Sequence, residues 1–153
     1  MPQFLGEYEC KVDAKGRMRL PSQLMRQLDG LAQDGFVMNR GFEKCLTLYP
    51  KAEWDRITKE LSQLNQYVKK NRAFVRYFLR GATELTIDSS DRILLKKALK
   101  EYAGVNKDVV IAGYFNKIEI WAAEEYGDLL EDEPMDFANL AEEVMGGKNE
   151  ELL

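Results

Sequence analysis

The sequence predicts an α+β protein in which one small β unit occurs twice, the copies being linked and flanked by helices. Three observations predict it. Residues 12–24, Val-Asp-Ala-Lys-Gly-Arg-Met-Arg-Leu-Pro-Ser-Gln-Leu, return 75 positions later at 87–99, with Asp88 for Asp13, Arg92 for Arg17, and Leu95 and Leu99 for Leu20 and Leu24. In both copies an alternating apolar segment leads into a turn opened by Asp and closed by Arg, and a short helical pattern follows. Between the copies, Trp54, Ile57, Leu61 and Leu64, then Phe74, Tyr77 and Phe78, fall at helical spacing. The expected organisation is a first unit at 4–50, a helical linker at 51–78, a second unit at 79–122, and a C-terminal helix with an acidic tail at 123–153.

Each element has a local reason. Tyr8, Cys10 and Val12 alternate with Glu9 and Lys11, as do Met18 and Leu20 with Arg17 and Arg19, the period of strands with one buried face. Between them, Asp13-Ala-Lys-Gly16 is turn chemistry: Asp bonds to the backbone two residues on, and Gly16 admits a positive φ. Pro21 suits the start of a helix whose stripe, Leu24, Met25 and Leu28, ends at Asp29-Gly30. Then come an apolar run at 36–38, a turn expected at 39–43 around Gly41, and alternation at Leu46 and Leu48. The second copy repeats the order: Leu85 and Ile87, the loop from Asp88 to Arg92, Ile93 and Leu95, a stripe at Ala98, Leu99 and Tyr102, Gly104, an apolar run at 109–111, a turn expected around Gly113, then Ile118 and Ile120. The break between the linker helices is expected at 63–66, and a last helix at 122–130.

Composition bounds the function. With 45% hydrophobic and 31% charged residues, and no apolar run near the roughly 18 residues of a membrane span, the chain reads as a soluble globular protein. Its first residues lack a basic segment followed by an apolar one, so the expected location is the cytoplasm. Cys10 and Cys45 lie far apart and there is no histidine. That removes the Cys/His zinc spacings and the Ser-His and Cys-His nucleophile pairs; no metal, cofactor or small-molecule substrate is expected, and both thiols are expected to be buried and structural.

The net charge of -4 is unevenly spread. Residues 119–153 hold 12 acidic side chains against Lys148 alone, so that segment carries -11 and the remainder +7. A basic body suits a polyanion, whereas an acidic tail must point elsewhere. The cations concentrate at the first loop, where Lys15 and Arg17 sit at the tip and Arg19 follows on the same strand face. With no catalytic partner nearby, such a loop is an electrostatic device. Arginine's planar fork grips phosphate or pairs with guanine, and a strand-borne pair of arginines enters a major groove as a two-stranded ribbon does. Asp13, Gly16 and Asp88 are then loop-structuring residues. Lys69, Lys70, Arg72, Arg76 and Arg80 read instead as the solvated face of the second linker helix.

The combination of Asp-Ala-Lys-Gly-Arg-Met-Arg-Leu-Pro, its half-chain repeat, Leu48-Tyr-Pro50 and Phe115-Asn-Lys-Ile-Glu-Ile-Trp121 resembles the MraZ family of bacterial transcriptional regulators over residues 4–122. The resemblance implies two AbrB-like swapped-hairpin, double-psi-like β units in one chain, ring-shaped homo-oligomers, a nucleoid-associated protein, and binding to direct repeats in the promoter of the division and cell-wall gene cluster. It also implies that the loops face double-stranded DNA, so Asp13, Lys15 and Arg17, and Asp88 and Arg92, carry over as DNA-facing positions. The second loop departs from the pattern, with Asp91 at a position usually glycine and Lys96 in place of Pro21. The extra carboxylate lowers the positive potential beside Arg92, and the first loop is expected to carry most of the affinity. The competing class is a structural or interaction ring without specific DNA binding; an enzyme ranks last, for want of a histidine, a glycine-rich phosphate loop or a catalytic carboxylate pair.

Overall fold

The computed structural model describes residues 3–131 and 136–146. The C-terminal helix and acidic tail expected at 123–153 therefore lie partly outside the described residues. Among the described residues, eight strands and six α-helices follow the order β1 (Glu7–Lys11), β2 (Arg17–Arg19), α1 (Ser22–Leu28), β3 (Phe36–Arg40), β4 (Leu46–Pro50), α2 (Lys51–Ser62), α3 (Lys69–Leu79), β5 (Thr83–Leu85), β6 (Arg92–Leu94), α4 (Lys97–Ala103), β7 (Asp108–Tyr114), β8 (Lys117–Ala122), α5 (Ala123–Glu131) and α6 (Phe137–Ala141). It is an α+β fold with antiparallel strand pairing throughout the described sheets.

The strands of the two copies are exchanged. β1, from the first copy, pairs with β7 of the second, and β5, from the second, pairs with β3 of the first. With the hairpins β3–β4 and β7–β8 this makes one six-stranded sheet, ordered β1-β7-β8-β4-β3-β5, while β2 and β6 form a separate two-stranded ribbon. The two pairings that join like strands are centred on equivalent positions of the repeat, Thr47 opposite Glu119 in β4–β8 and Met18 opposite Ile93 in β2–β6. The chain thus folds about an internal approximate two-fold relation. A main core shared by the two copies follows from the exchange, with Met18, Leu20, Leu24 and Leu28 of the first copy packed with Ile93, Leu95, Leu99, Ile111, Ile118 and Ile120 of the second.

Several expectations need correction. Strand β3 runs through Asn39 and Arg40, where a turn was expected, because their side-chain donors find carbonyls: Asn39 Nδ2 donates to Phe78 O at 2.7 Å, although its Oδ1 is buried without a partner among the described residues, and Arg40 donates to the carbonyls of Arg80 and Tyr77. Strand β4 is buried on both faces, since Leu46 and Leu48 enter the main core while Tyr49 joins Val37 and Trp54 beneath the linker helices. Helix α3 buries none of its residues; of its aromatic stripe only Phe78 is partly covered, stacked 5.7 Å from Trp54, and Phe74 and Tyr77 stay exposed. Cys45 is buried, and desolvation, the largest cause, pushes its thiol up to about 12, whereas Cys10 is only half-buried.

The turn expected at Gly113 instead falls at Phe115 and Asn116, and β7 continues to Tyr114. Gly113 is where the incoming chain crosses: its N–H donates to Gly6 O at 2.9 Å, and Phe4 N–H donates to Phe115 O at 2.7 Å. A Cβ at Gly113 would lie 2.4 Å from Phe4 O, so the backbone itself must move to admit one. Gly113→Ala is therefore expected to lower the unfolding free energy by about 1–3 kcal/mol, read from urea denaturation. An unchanged midpoint would contradict this packing of residues 4–6.

Candidate nucleic-acid interface

The two loops repeat the same bonds. In the first, Asp13 N–H donates to Arg17 O at 2.9 Å and Gly16 N–H to Asp13 O at 3.0 Å. Asp13 Oδ1 accepts from the amides of Lys15 and Arg17, both at 2.9 Å, and Oδ2 accepts from Arg17 Nε at 3.0 Å. In the second, Asp88 Oδ1 accepts from the amides of Ser90 and Arg92 at 2.9 Å and Oδ2 from Arg92 Nε at 3.0 Å. Each carboxylate both closes its turn and fixes the arginine that leaves it. Only Nε is engaged in this way; among the described residues the terminal nitrogens of both guanidinium groups have no hydrogen-bond partner, so they remain open to a ligand.

This geometry sets the charge state of the aspartates. The Arg17 backbone N–H holds the Asp13 carboxyl below its ordinary value, helped by the Arg17 side chain and the Lys15 amide against a smaller desolvation effect. For Asp88 the same is done by the Arg92 backbone N–H, then by the Ser90 amide and the Arg92 side chain. As an exposed ion pair each would stabilise little; their value is geometric.

The fourth position of each turn takes a left-handed conformation, with φ +83° at Gly16 and +60° at Asp91. Asp tolerates this region better than most residues, at a cost of about 1 kcal/mol. Gly16 is under a second constraint, because a Cβ there would lie 2.9 Å from Leu95 O. That close approach is part of a reciprocal link. Leu95 N–H donates to Gly16 O, and Leu20 N–H donates to Asp91 O, both at 2.8 Å, so each loop is held by the strand that leaves the other.

The link places β2 and β6 side by side, with Arg17 opposite Leu94, Met18 opposite Ile93 and Arg19 opposite Arg92. Met18 and Ile93 are buried beneath the ribbon. Strand alternation then puts Arg17, Arg19, Arg92 and Leu94 together on its outer face. The predicted residues Arg17, Arg19 and Arg92 are thereby gathered on one surface, and Lys15 stands exposed on the first loop beside it. Two further residues went unnoticed in the sequence. Leu94 is the repeat counterpart of Arg19, so the 75-residue offset already pointed to it. Lys100, on α4, brings its stem to 3.8 Å from the position a Gly16 Cβ would occupy, and nothing in the local sequence signals that. The basic residues of α3 belong to a different part of the molecule, and Arg72 there donates to Gln66 O. Among the described residues, no group of three or more cysteine and carboxylate side chains is placed to hold a metal ion, and no helix is long and apolar enough to cross a membrane.

A family model described as "MraZ protein, putative antitoxin-like" matches residues 3–77 and again residues 78–146. The chain belongs to the MraZ family. Proteins bearing the name transcriptional regulator MraZ are similar to it over nearly the whole length: one from Christiangramia forsetii is 46% identical over 147 residues, covering 95% of each chain. Another from Flavobacterium psychrophilum is 45% identical over 152 residues, covering 99% of this chain and 97% of its own, and one from Natranaerobius thermophilus is 37% identical over 142 residues, covering 93% and 96%. The double match gives one MraZ unit to each Asp-x-x-x-Arg loop, so the exchanged strands β1 and β5 pass between the two units.

Both loop aspartates are expected to titrate below the ordinary carboxylate value of about 3.9. Since the folded value is the lower, the loop bonds they contribute are complete above the ordinary value and are lost as pH falls through the folded one. Side-chain carboxyl titration by NMR checks this, and midpoints at or above the ordinary value for Asp13 and Asp88 would contradict the geometry.

Proposed function

We propose that this chain is a sequence-specific DNA-binding transcriptional regulator, with repression as its direction of control. It acts as a ring-shaped homo-oligomer on direct repeats in the promoter of the division and cell-wall gene cluster, in the cytoplasm and associated with the nucleoid. The name its relatives bear supports the regulatory role. The observation that carries the DNA-binding reading is the outer face of the β2–β6 ribbon, where three arginines meet and Arg19 lies directly opposite Arg92. Like charges facing across a ladder destabilise it. A polyanion relieves that repulsion, and a two-stranded ribbon fits a major groove. The fold we assign is two AbrB-like swapped-hairpin, double-psi-like units, at 4–50 and 79–122, joined by the 51–78 linker and followed by a helix and acidic tail at 123–153; the exchange of β1 and β5 supports it.

Assembly is supported by an aromatic surface. Phe42 is 74% exposed, Tyr77 62% and Phe74 45%, around a groove of about 90 Å³ lined also by Arg40, Gly41 and Phe78. Exposed apolar surface of this kind marks a contact site. Several subunits on one DNA would multiply the effect of each loop through avidity. That aromatic surface alone also fits the second reading, a structural ring without specific DNA binding, which leaves the opposed arginines without a role.

Arg17→Ala is expected to abolish specific binding while the oligomer persists, because the side chain lies on the surface. Arg92→Ala should weaken binding less, beside Asp91, and Lys15→Ala should weaken binding to all sequences alike and flatten the salt dependence. Mobility shifts with the protein's upstream promoter DNA and with scrambled DNA, over a salt series and with light scattering on each variant, provide the check. Wild-type affinity in Arg17→Ala would bring the structural ring to the fore.

A further inference from the structure

The ribbon's outer face has four positions, and three are arginine. The fourth, Leu94, stands where the repeat would place the counterpart of Arg19, directly across from Arg17. It is 52% exposed, the one apolar side chain at those four positions, with its Cδ1 3.7 Å from where a Gly16 Cβ would lie, while the burial beneath the ribbon is supplied by Met18 and Ile93. The residues that meet across an antiparallel pair have Cβ atoms about 5 Å apart, and same-face neighbours along a strand lie about 7 Å apart. Arg17 and Leu94 would thus meet neighbouring base edges when the ribbon enters a groove. In the major groove the one apolar feature among the base edges is the C5-methyl group of thymine.

We propose that Leu94 is a specificity-determining residue that packs on a thymine C5-methyl group next to the base contacted by Arg17. The inference rests on the DNA-binding reading above. It gives the second loop a role other than charge: Arg92 contributes the cation, and Leu94 the discrimination. It also gives the face a polarity, because Arg17 with Leu94 at one end is chemically unlike Arg19 with Arg92 at the other.

The test begins with the full-length wild-type protein and duplexes selected from a randomised library. The selected sites should hold a thymine at a fixed position, and replacing that base by deoxyuridine, which removes the methyl group alone, should weaken binding about four-fold per contact. Leu94→Ala should bind the thymine and deoxyuridine duplexes equally, and selection with it should lose the preference at that position only. Leu94→Arg should shift the preference there toward guanine. A merely structural leucine would leave the thymine-to-deoxyuridine ratio unchanged in Leu94→Ala. That outcome, selected sites without a fixed thymine, or equal wild-type binding to both duplexes, each overturns the proposal while leaving DNA binding itself intact. Failure of the wild-type protein to select any sequence overturns the DNA-binding reading, and this proposal with it. The wild-type comparison needs no variant, so a poorly folded Leu94→Ala does not obscure the result.

Discussion

Two backbone hydrogen bonds, from Leu20 N–H to Asp91 O and from Leu95 N–H to Gly16 O, determine what the rest of the molecule can be. Each contributes only about 1 kcal/mol net, but together they require that the loop of one copy be closed by the strand of the other. Met18 and Ile93, opposite each other and buried, secure the same contact with apolar packing. Once the loops are joined in this way, β1 and β5 must continue outward onto the partner copy's hairpin, and the six-stranded sheet with its shared core follows. The arginines reach one face because the loops that carry them are parts of a single ribbon.

The frame is nearly symmetric and its chemistry is not. Equivalent positions hold Gly16 and Asp91, Arg19 and Leu94, Pro21 and Lys96, Met25 and Lys100. The backbone absorbs these differences, as the matching bonds of Asp13 and Asp88 demonstrate, so the outer face is free to vary. The first loop carries Lys15 and has the stem of Lys100 near Gly16, while the second has the added carboxylate of Asp91 next to Arg92 in sequence. A face with distinct ends suits the direct repeats proposed as its target, which present the same polarity each time, better than a palindrome, which would call for matching ends.

Much of this was legible in the sequence because it is local. The Asp-x-x-x-Arg turns, the positive φ at Gly16 and the short helices after each loop depend on residues within a few positions of one another. Strand alternation identified Met18 and Leu20 as buried and Arg17 and Arg19 as outward. Partners were not legible in the residues, since alternation says which face a strand buries and not which strand lies beside it; swapped hairpins were implied only by the family resemblance, and neither the pairing of β1 with β7 and β5 with β3 nor the position of Lys100 could be read from alternation. Asn39 and Arg40 were misjudged for the same reason: their polarity suggests a turn until the carbonyls of Phe78, Tyr77 and Arg80 arrive to accept from their side-chain donors. The full burial of β4 likewise depends on Trp54 covering its second face.

Amide hydrogen exchange of the full-length protein with and without its promoter DNA tests most directly whether both loops form one DNA-binding surface. DNA is expected to slow exchange in residues 13–19 and 88–94 together, with helix α3 unaffected. Protection confined to a single loop, or found on α3 around Lys69, Arg72 and Arg76 instead of the ribbon, would contradict it.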